Sequence, residues 1–400
     1  MFSYGFSFFF DNIKFQIVSA AVLIILEISY FRRIRLPILS SKIFTSLMVF
    51  SAIYMIFDFL TVYAIVYMEK VSPIFLRLSH QVFIFSINTI MLCLFLYVSI
   101  ADRNQKRFNR WINILIFGLY FISLIFIIFG KIQYYRGPDG IYSFGSMPYT
   151  IFVIATIYGT LTLIRTIYEI INNKDSFIKK KSLFIISTLV LWFAIEILQF
   201  LFPTLLISNI GISLLVLIMY LGLEQPASYI DIISDTFNSH AFKSILNEYI
   251  NSKKNFSIVT IEIENLLSIE AEHDSQTFDN LIRQFSSHLK NKTHNPIYRI
   301  SDSAFSIIFL ENKKNTYAKV KEFLASIQHD YDEQAWIINN SKIKTDMFCS
   351  VIRYPKDSFM FKSINEILHF ISKFKMYSEE TSFIRTVDEK LISNVKRQNT

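Results

Sequence analysis

Residues 297–309 read IYRISDSAFSIIF. Two apolar runs, 297–300 and 305–310, flank a short polar turn, Ser301-Asp302-Ser303-Ala304. Apolar runs of that length around a polar turn are the pattern of a β-hairpin buried on at least one face. Outward from the hairpin, the chain alternates in type. A helix is expected over 239–251, with Ala241, Phe242, Ile245 and Ile250 on one side, followed by a strand over 256–262 and a helix over 275–291. Beyond the hairpin come an amphipathic helix over 316–329, strands over 334–338 and 344–354, and a helix over 364–377. That order suits an α/β (α+β) sandwich built on one mixed sheet.

The flanks carry further motifs. Residues 231–242 (DIISDTFNSHAF) fit D-x-L-T-G-L-x-N-R-x-A-F without a gap, with Asp231, Asn238, Ala241 and Phe242 identical. Residues 262–282 (EIENLLSIEAEHDSQTFDNLI) lie on D-I-D-x-F-K-x-I-N-D-x-x-G-H-x-x-G-D-x-L-L, keeping Ile269, Asp279 and Leu281, with Glu262 and Glu264 in the two Asp places. Residues 348–355 (FCSVIRYP) follow S-x-G-x-x-x-x-P, and Met376-Tyr377 matches an M-Y in a last helix. Together with the hairpin, whose pattern is R-x-G-G-D-E-F, these stretches resemble the GGDEF domain of diguanylate cyclases. Arg299 and Phe305 are kept in the hairpin.

The resemblance implies a nucleotidyl-cyclase-like fold, and it also implies lost chemistry. Cyclases of this family join two GTP molecules with magnesium, and hard cations want carboxylate oxygens. The matching metal positions are Glu262 and the third residue of the hairpin, here the neutral Ser303; the fourth, acidic in the family, is Ala304. Ser301 and Asp302 replace two glycines, so Asp302 brings negative charge toward phosphate. Among the guanine-reading positions Asp279 is kept, while Glu270 stands in the Asn place. Glu380 falls on the family's last-helix Lys, and KTHN at 292–295 stands where the R-x-x-D feedback motif belongs. The domain thus reads as a pseudo-enzyme with a degenerate hairpin, Ser301 to Phe305. Asp279 and Asn238 are left for nucleotide, Glu262 for metal, and no cofactor is expected except magnesium accompanying any GTP that still binds.

The rest of the chain is of a different kind. At 52% hydrophobic and 16% aromatic, the 400 residues exceed the soluble norm. The excess lies before Gly222. Seven apolar segments are long enough to span a bilayer, at 15–31, 43–68, 74–101, 111–129, 147–168, 182–202 and 204–223, with Pro203 between the last two. The flank before the first is aromatic rather than basic and has no small-x-small site, so that segment is expected to stay as a span rather than be cleaved. Residues 1–223 therefore read as an α-helical seven-span sensor bundle. Residues 224–230 form a short linker that Pro226 should break, and 231–382 form the GGDEF-like domain. Residues 383–400 resemble the connector that leads from such domains toward EAL phosphodiesterase domains. Cys93 and Cys349 sit inside apolar runs and read as buried small side chains.

Basic residues crowd alternate loops: Arg32, Arg33, Arg35 and Lys42 after span one, Arg103, Lys106, Arg107 and Arg110 after span three, and Lys174, Lys179, Lys180 and Lys181 after span five. The other loops hold only Lys70, Lys131 and Arg136. The positive-inside rule then places the amino terminus outside and the carboxyl-terminal domain in the cytoplasm of a bacterial plasma membrane. The inner loops also account for the net charge of +8, so no nucleic-acid partner is expected. Ionisable and amide groups inside spans are costly and mark candidate sites. Asp58, Arg77, His80, Glu196 and Gln199 all fall toward the outer leaflet, where a small extracellular ligand could enter. Glu27 and Arg165, nearer the inner face, are expected to meet headgroups or each other.

These features fit a membrane signal-transduction receptor whose GGDEF-like domain is a regulatory or docking module in cyclic di-GMP-type signalling, with lipid, a second copy or a GGDEF/EAL-type protein as partners. Two alternatives stay open: a GTP or cyclic di-GMP effector without turnover, and a transporter or channel with a cytosolic regulatory domain. Asp279 favours the former, while Ser303 and Ala304 oppose it. The absence of inverted repeats and of paired broken spans opposes the latter. For the orientation, an impermeant maleimide on intact cells is expected to label Tyr135→Cys, and to label Lys106→Cys only after permeabilisation. The opposite reactivity would reverse the topology.

Overall fold

The computed structural model describes residues 9–100, 110–137, 140–172, 176–224, 226–311, 316–333, 336–338, 341–357, 366–368, 370–371 and 383–386. The chain divides into two compact units, Met1–Gln225 and Pro226–Thr400.

The first unit is a helical bundle: α1 Lys14–Arg32, α2 Leu39–Val66, α3 Pro73–Ile100, α4 Arg110–Phe129, α5 Ser146–Asn172, α6 Ser176–Leu201 and α7 Ser208–Met219. Among the described residues, five helices are long and apolar enough to cross a membrane: α1, α2, α3, α5 and Ser182–Leu201 of α6. Two further apolar helices, Ile114–Phe129 and Ser208–Glu224, are shorter. The last expected span, 204–223, starts late for a physical reason. Pro203 opens a 3-10 turn, Pro203–Leu205, and Leu206 takes a left-handed φ of 50°, so the α-helix begins only at Ser208. It continues past Met219 as a π-type stretch, Tyr220–Glu224.

Large apolar side chains such as Ile25, Ile122, Phe129, Ile164 and Ile171 are exposed along these helices. That is costly in water and suits a lipid environment. The interior is aromatic and close-packed around Tyr30, Phe44, Tyr54, Tyr158 and Trp192. Several polar groups inside pair with one another: the Tyr30 hydroxyl meets Thr45 Oγ1 at 2.7 Å, and Glu224 accepts from the Ser41 and Tyr97 hydroxyls. The loop over 130–146 is a two-stranded hairpin, β1 Gln133–Gly137 and β2 Gly140–Phe144, with the Tyr135 and Tyr142 rings stacked at 4.7 Å. Gly145 closes it at φ +125°, where a Cβ would also lie 2.5 Å from the Lys131 carbonyl oxygen, so the position needs glycine.

The second unit is the expected α/β domain. Its sheet has seven strands among the described residues, in the order β11-β10-β5-β7-β6-β4-β3. These are β3 Ile230–Asp231, β4 Thr236–Asn238, β5 Phe256–Ile263, β6 Ile297–Arg299, β7 Ala304–Leu310, β10 Met347–Tyr354 and β11 Ile384–Thr386; β8 Trp336–Ile338 and β9 Ser341–Ile343 form a separate hairpin. The expected hairpin is present, with Ile297 opposite Ile307 and Arg299 opposite Phe305. β5 lies between β7 and β10, antiparallel to both, and is covered on both faces. Val259, Ile261 and Ile263 pack with Phe278, Leu281, Ile282 and Phe285 of α10 (Ser275–Lys292) and with Val320, Phe323 and Leu324 of α11 (Thr316–Glu333). The opposite face carries Phe256 and Tyr298, which meet Tyr249 and Phe242 of α8 (Ser239–Asn251). The strand sequence FSIVTIEI follows from this: Val259, Ile261 and Ile263 alternate with Thr260 and Glu262, so from Val259 to Ile263 the face under α10 and α11 is apolar.

Some details differ from the sequence reading. The buried face of α8 is completed by Leu246 and Tyr249, whereas Ile250 is only half-buried. The strand expected over 344–354 begins at Met347 because Asn265, before the short helix α9 (Leu266–Glu272), binds the preceding loop. Its amide donates to the Lys344 carbonyl at 3.0 Å and accepts from the Asp346 N–H at 2.9 Å. β3, β4 and α9 had no signal long enough to read. Pro226 opens a 3-10 turn, Pro226–Tyr229, in the expected linker. Ile384–Thr386 pairs parallel to β10, so the connector-like tail starts inside the sheet. Met376, Tyr377 and Glu380 lie outside the described residues.

Phe305 is fully buried, with its ring 5.2 Å from that of Phe285. Phe305→Ala is expected to destabilise the separately expressed second unit by about 3–5 kcal/mol in urea unfolding. A cost near zero would mean that the hairpin is not part of the core.

Candidate functional site

The turn between β6 and β7 is closed by its own backbone and by two side chains. The Ile300 N–H donates to the Ala304 carbonyl at 2.9 Å, and the Ala304 N–H donates to Ser301 Oγ at 3.1 Å. Ser303 supplies its carbonyl to the Ile263 N–H at 3.0 Å, tying the turn to the end of β5. Among the described residues, the only non-glycine positive φ values are at Leu206, Asp235 and Lys253. The turn is therefore made without left-handed residues, and Ser301 and Asp302 sit in it without backbone strain.

Beneath the turn lies Arg299, 6% exposed. Its Nη1 donates to Asp231 Oδ1 at 3.1 Å, and its Nη2 donates to the Asp302 carbonyl at 3.0 Å. Asp231 Oδ1 also accepts from the Ser234 N–H at 2.8 Å and its hydroxyl at 2.7 Å. Partial burial pushes the Asp231 carboxyl up, but the Ser234 donors and the Arg299 guanidinium outweigh it and hold the group below the usual carboxylate range. One guanidinium thus joins the start of the domain to the turn.

The acidic positions do not assemble a metal site. In the β5–β7 pairing Glu262 stands opposite Ala304, so the residue across from the kept acid offers only a methyl group. Glu264 lies 3.6 Å from Arg385. Among the described residues, no three acids, histidines or cysteines converge. Magnesium is carried by one or two carboxylates together with substrate phosphates, and at this position the β5–β7 pair supplies one, Glu262.

Asn238 has a structural task. Its Oδ1 accepts from the His240 and Ala241 N–H groups at 3.0 and 3.1 Å, capping α8, and its Nδ2 donates to the Ser228 carbonyl at 2.8 Å. Asp279 lies half-buried near the start of α10.

In the bundle, the five expected pocket residues are held by different partners. Arg77 donates to the Ile128 and Gly130 carbonyls at 2.9 and 3.1 Å, closing the end of α4, and the His80 ring lies 4.9 Å from that of Tyr134. Gln199 is spent on the turn after α6: it donates to the Pro203 carbonyl and accepts from the Ile207 and Ser208 N–H groups. Asp58 and Glu196 are both buried, and the side chains that meet them, Asn209 and Ser208, are consecutive at the start of α7. Asn209 donates to Asp58 Oδ2 at 2.7 Å, and the Ser208 hydroxyl meets Glu196 Oε2 at 3.4 Å. Asn209 and Ser208 were missed because the sequence reading weighed charged groups first; a buried amide inside an apolar run was the available signal. Arg165 pairs with Glu169 at 3.6 Å rather than with Glu27.

No family model matches the chain, and no curated protein matches it. The solved structures similar to it are GGDEF domains. The GGDEF domain of TpbB (YfiN) from Pseudomonas aeruginosa aligns over 43% of this chain and 99% of its own, at 10% identity and a TM-score of 0.32. The coiled coil and GGDEF domain of DgcB from Caulobacter crescentus, in complex with c-di-GMP, aligns over 43% and 92%, at 12% identity and 0.31. The S helix-GGDEF-EAL portion of Vibrio cholerae LapD, bound to c-di-GMP, aligns over 40% of this chain and 37% of its own, at 20% identity and 0.31.

Because the folded Asp231 carboxyl is depressed, its stabilisation is present above the unfolded value near pH 4 and is lost as pH falls through the lower folded value. Asp231→Asn is therefore expected to cost about 2 kcal/mol at pH 7. In urea unfolding against pH, the gap to wild type should close as pH falls below about 4. A gap that does not change with pH would contradict an ionised Asp231–Arg299 pair.

Proposed function

We propose that this chain is a multi-pass membrane signalling protein of the GGDEF kind, in which a seven-span bundle with its amino terminus outside receives a signal. Its cytoplasmic domain acts without turnover, as a regulatory or docking module in cyclic di-GMP-type signalling. One observation carries the reading: the hairpin is kept and its acids are not. Arg299 and Ser301 hold the turn closed with side-chain hydrogen bonds, yet Ala304 is the residue paired with Glu262. A turn stabilised by residues that cannot bind phosphate-bound metal supports a part retained for its shape. Such a module would engage a second copy of itself or a GGDEF/EAL-type protein.

The separately expressed second unit, supplied with GTP and magnesium, is expected to form no cyclic di-GMP. It is also expected to show no calorimetric binding of GTP or cyclic di-GMP at near-millimolar nucleotide. Product formation would overturn the reading. Binding that disappears in Asp279→Ala would make the domain a nucleotide effector instead.

A further inference from the structure

We propose that the bundle holds a hard metal cation between Asp58 and Glu196, with the amide oxygens of Asn209 and Gln16 completing its oxygen shell. This deepens the receptor reading, on which its signalling consequence rests, by naming the class of ligand. Asp58 on α2 and Glu196 on α6 are 8% and 7% exposed. Among the described residues no basic side chain pairs with either, and each takes a single neutral donor, Asn209 Nδ2 and Ser208 Oγ respectively. Two carboxylates enclosed by apolar helices without a counter-charge are costly unless a cation or protons neutralise them.

Two buried amides point to what is bound. Asn209 gives its Nδ2 to Asp58 and leaves its buried Oδ1 without a hydrogen-bond partner. Gln16, 1% exposed, has neither its Oε1 nor its Nε2 partnered. Helix registers place Gln16 at this level. α1 and α2 run antiparallel, with Tyr30 beside Phe44 and Ile13 clustered with Val62, so Gln16 falls level with Asp58. α1 and α7 run parallel, with Ser19 beside Ser213 and Ser29 beside Tyr220, so Gln16, one turn before Ser19, falls level with Asn209. Gln16 also lies on the buried stripe of α1 with Ser19, Leu23, Leu26 and Tyr30. Carboxylate, amide and hydroxyl oxygens are the donors that hard cations take.

The test uses the full chain in nanodiscs of zwitterionic lipid. Thermal unfolding is followed with sodium, potassium, magnesium or calcium chloride against choline chloride at matched ionic strength. A ligand that binds only the folded state raises Tm with its concentration. At least one metal ion is expected to raise Tm in wild type, with the shift lost in Asp58→Asn and in Glu196→Gln. Titration calorimetry of wild type with the same ions reads binding directly, should either variant fail to fold. Absence of ion-specific stabilisation and of binding heat in wild type, or a shift that persists in the double variant, would overturn the proposal. Stability that follows pH and no metal would make the pair a proton site and overturn it as well. Neither readout uses the soluble domain, so the result is separate from the nucleotide tests.

Discussion

In the second unit a single guanidinium ties the first strand to the hairpin turn. Arg299 sits under the hairpin and must give its protons to oxygens, because an arginine this buried without partners would cost several kcal/mol. It reaches Asp231 at the start of the domain and the Asp302 carbonyl in the turn. Both segments are short and carry little hydrophobic surface of their own. The charge therefore does what burial cannot: it sets where the first strand meets the sheet and which way the turn faces. Ser234 reinforces this by holding Asp231 from the other side.

Around that anchor the sheet is an ordinary packed core. β5 is covered by α10 and α11 on one face and by α8 on the other, which fixes the register of its neighbours. The register then decides the chemistry. In the register that seats Phe305 against Phe285, Ala304 stands across from Glu262, and a one-residue slip would turn Phe305 out of the core.

The bundle obeys the opposite solvent rule. Its exposed faces are apolar, and its polar groups turn inward to find partners. Most succeed, as Glu224 does with Ser41 and Tyr97, Gln199 with the turn after Pro203, and Arg77 with the carbonyls at the end of α4. Among the described residues, Gln16 and Asn209 are two of the buried side chains left with an unpartnered oxygen.

Much of this was legible beforehand. Length and unbroken apolarity place helices without reference to any partner, because a segment that must bury every backbone group has few choices. The hairpin, α8, β5, α10 and α11 were readable for a similar reason: each repeats its pattern over enough residues to outweigh local noise. Two- and three-residue strands such as β3, β4 and β11 were not, since they exist only where a neighbour supplies hydrogen bonds. The candidate sites divide the same way. That Ser303 and Ala304 lack carboxylates follows from their identity alone. That Asn238 caps a helix, that Gln199 closes a turn, and that Arg77 ties down the end of α4 was decided by tertiary structure. A side chain's role depends on which donors and acceptors folding brings within about 3 Å of it, and chain order does not carry that distance.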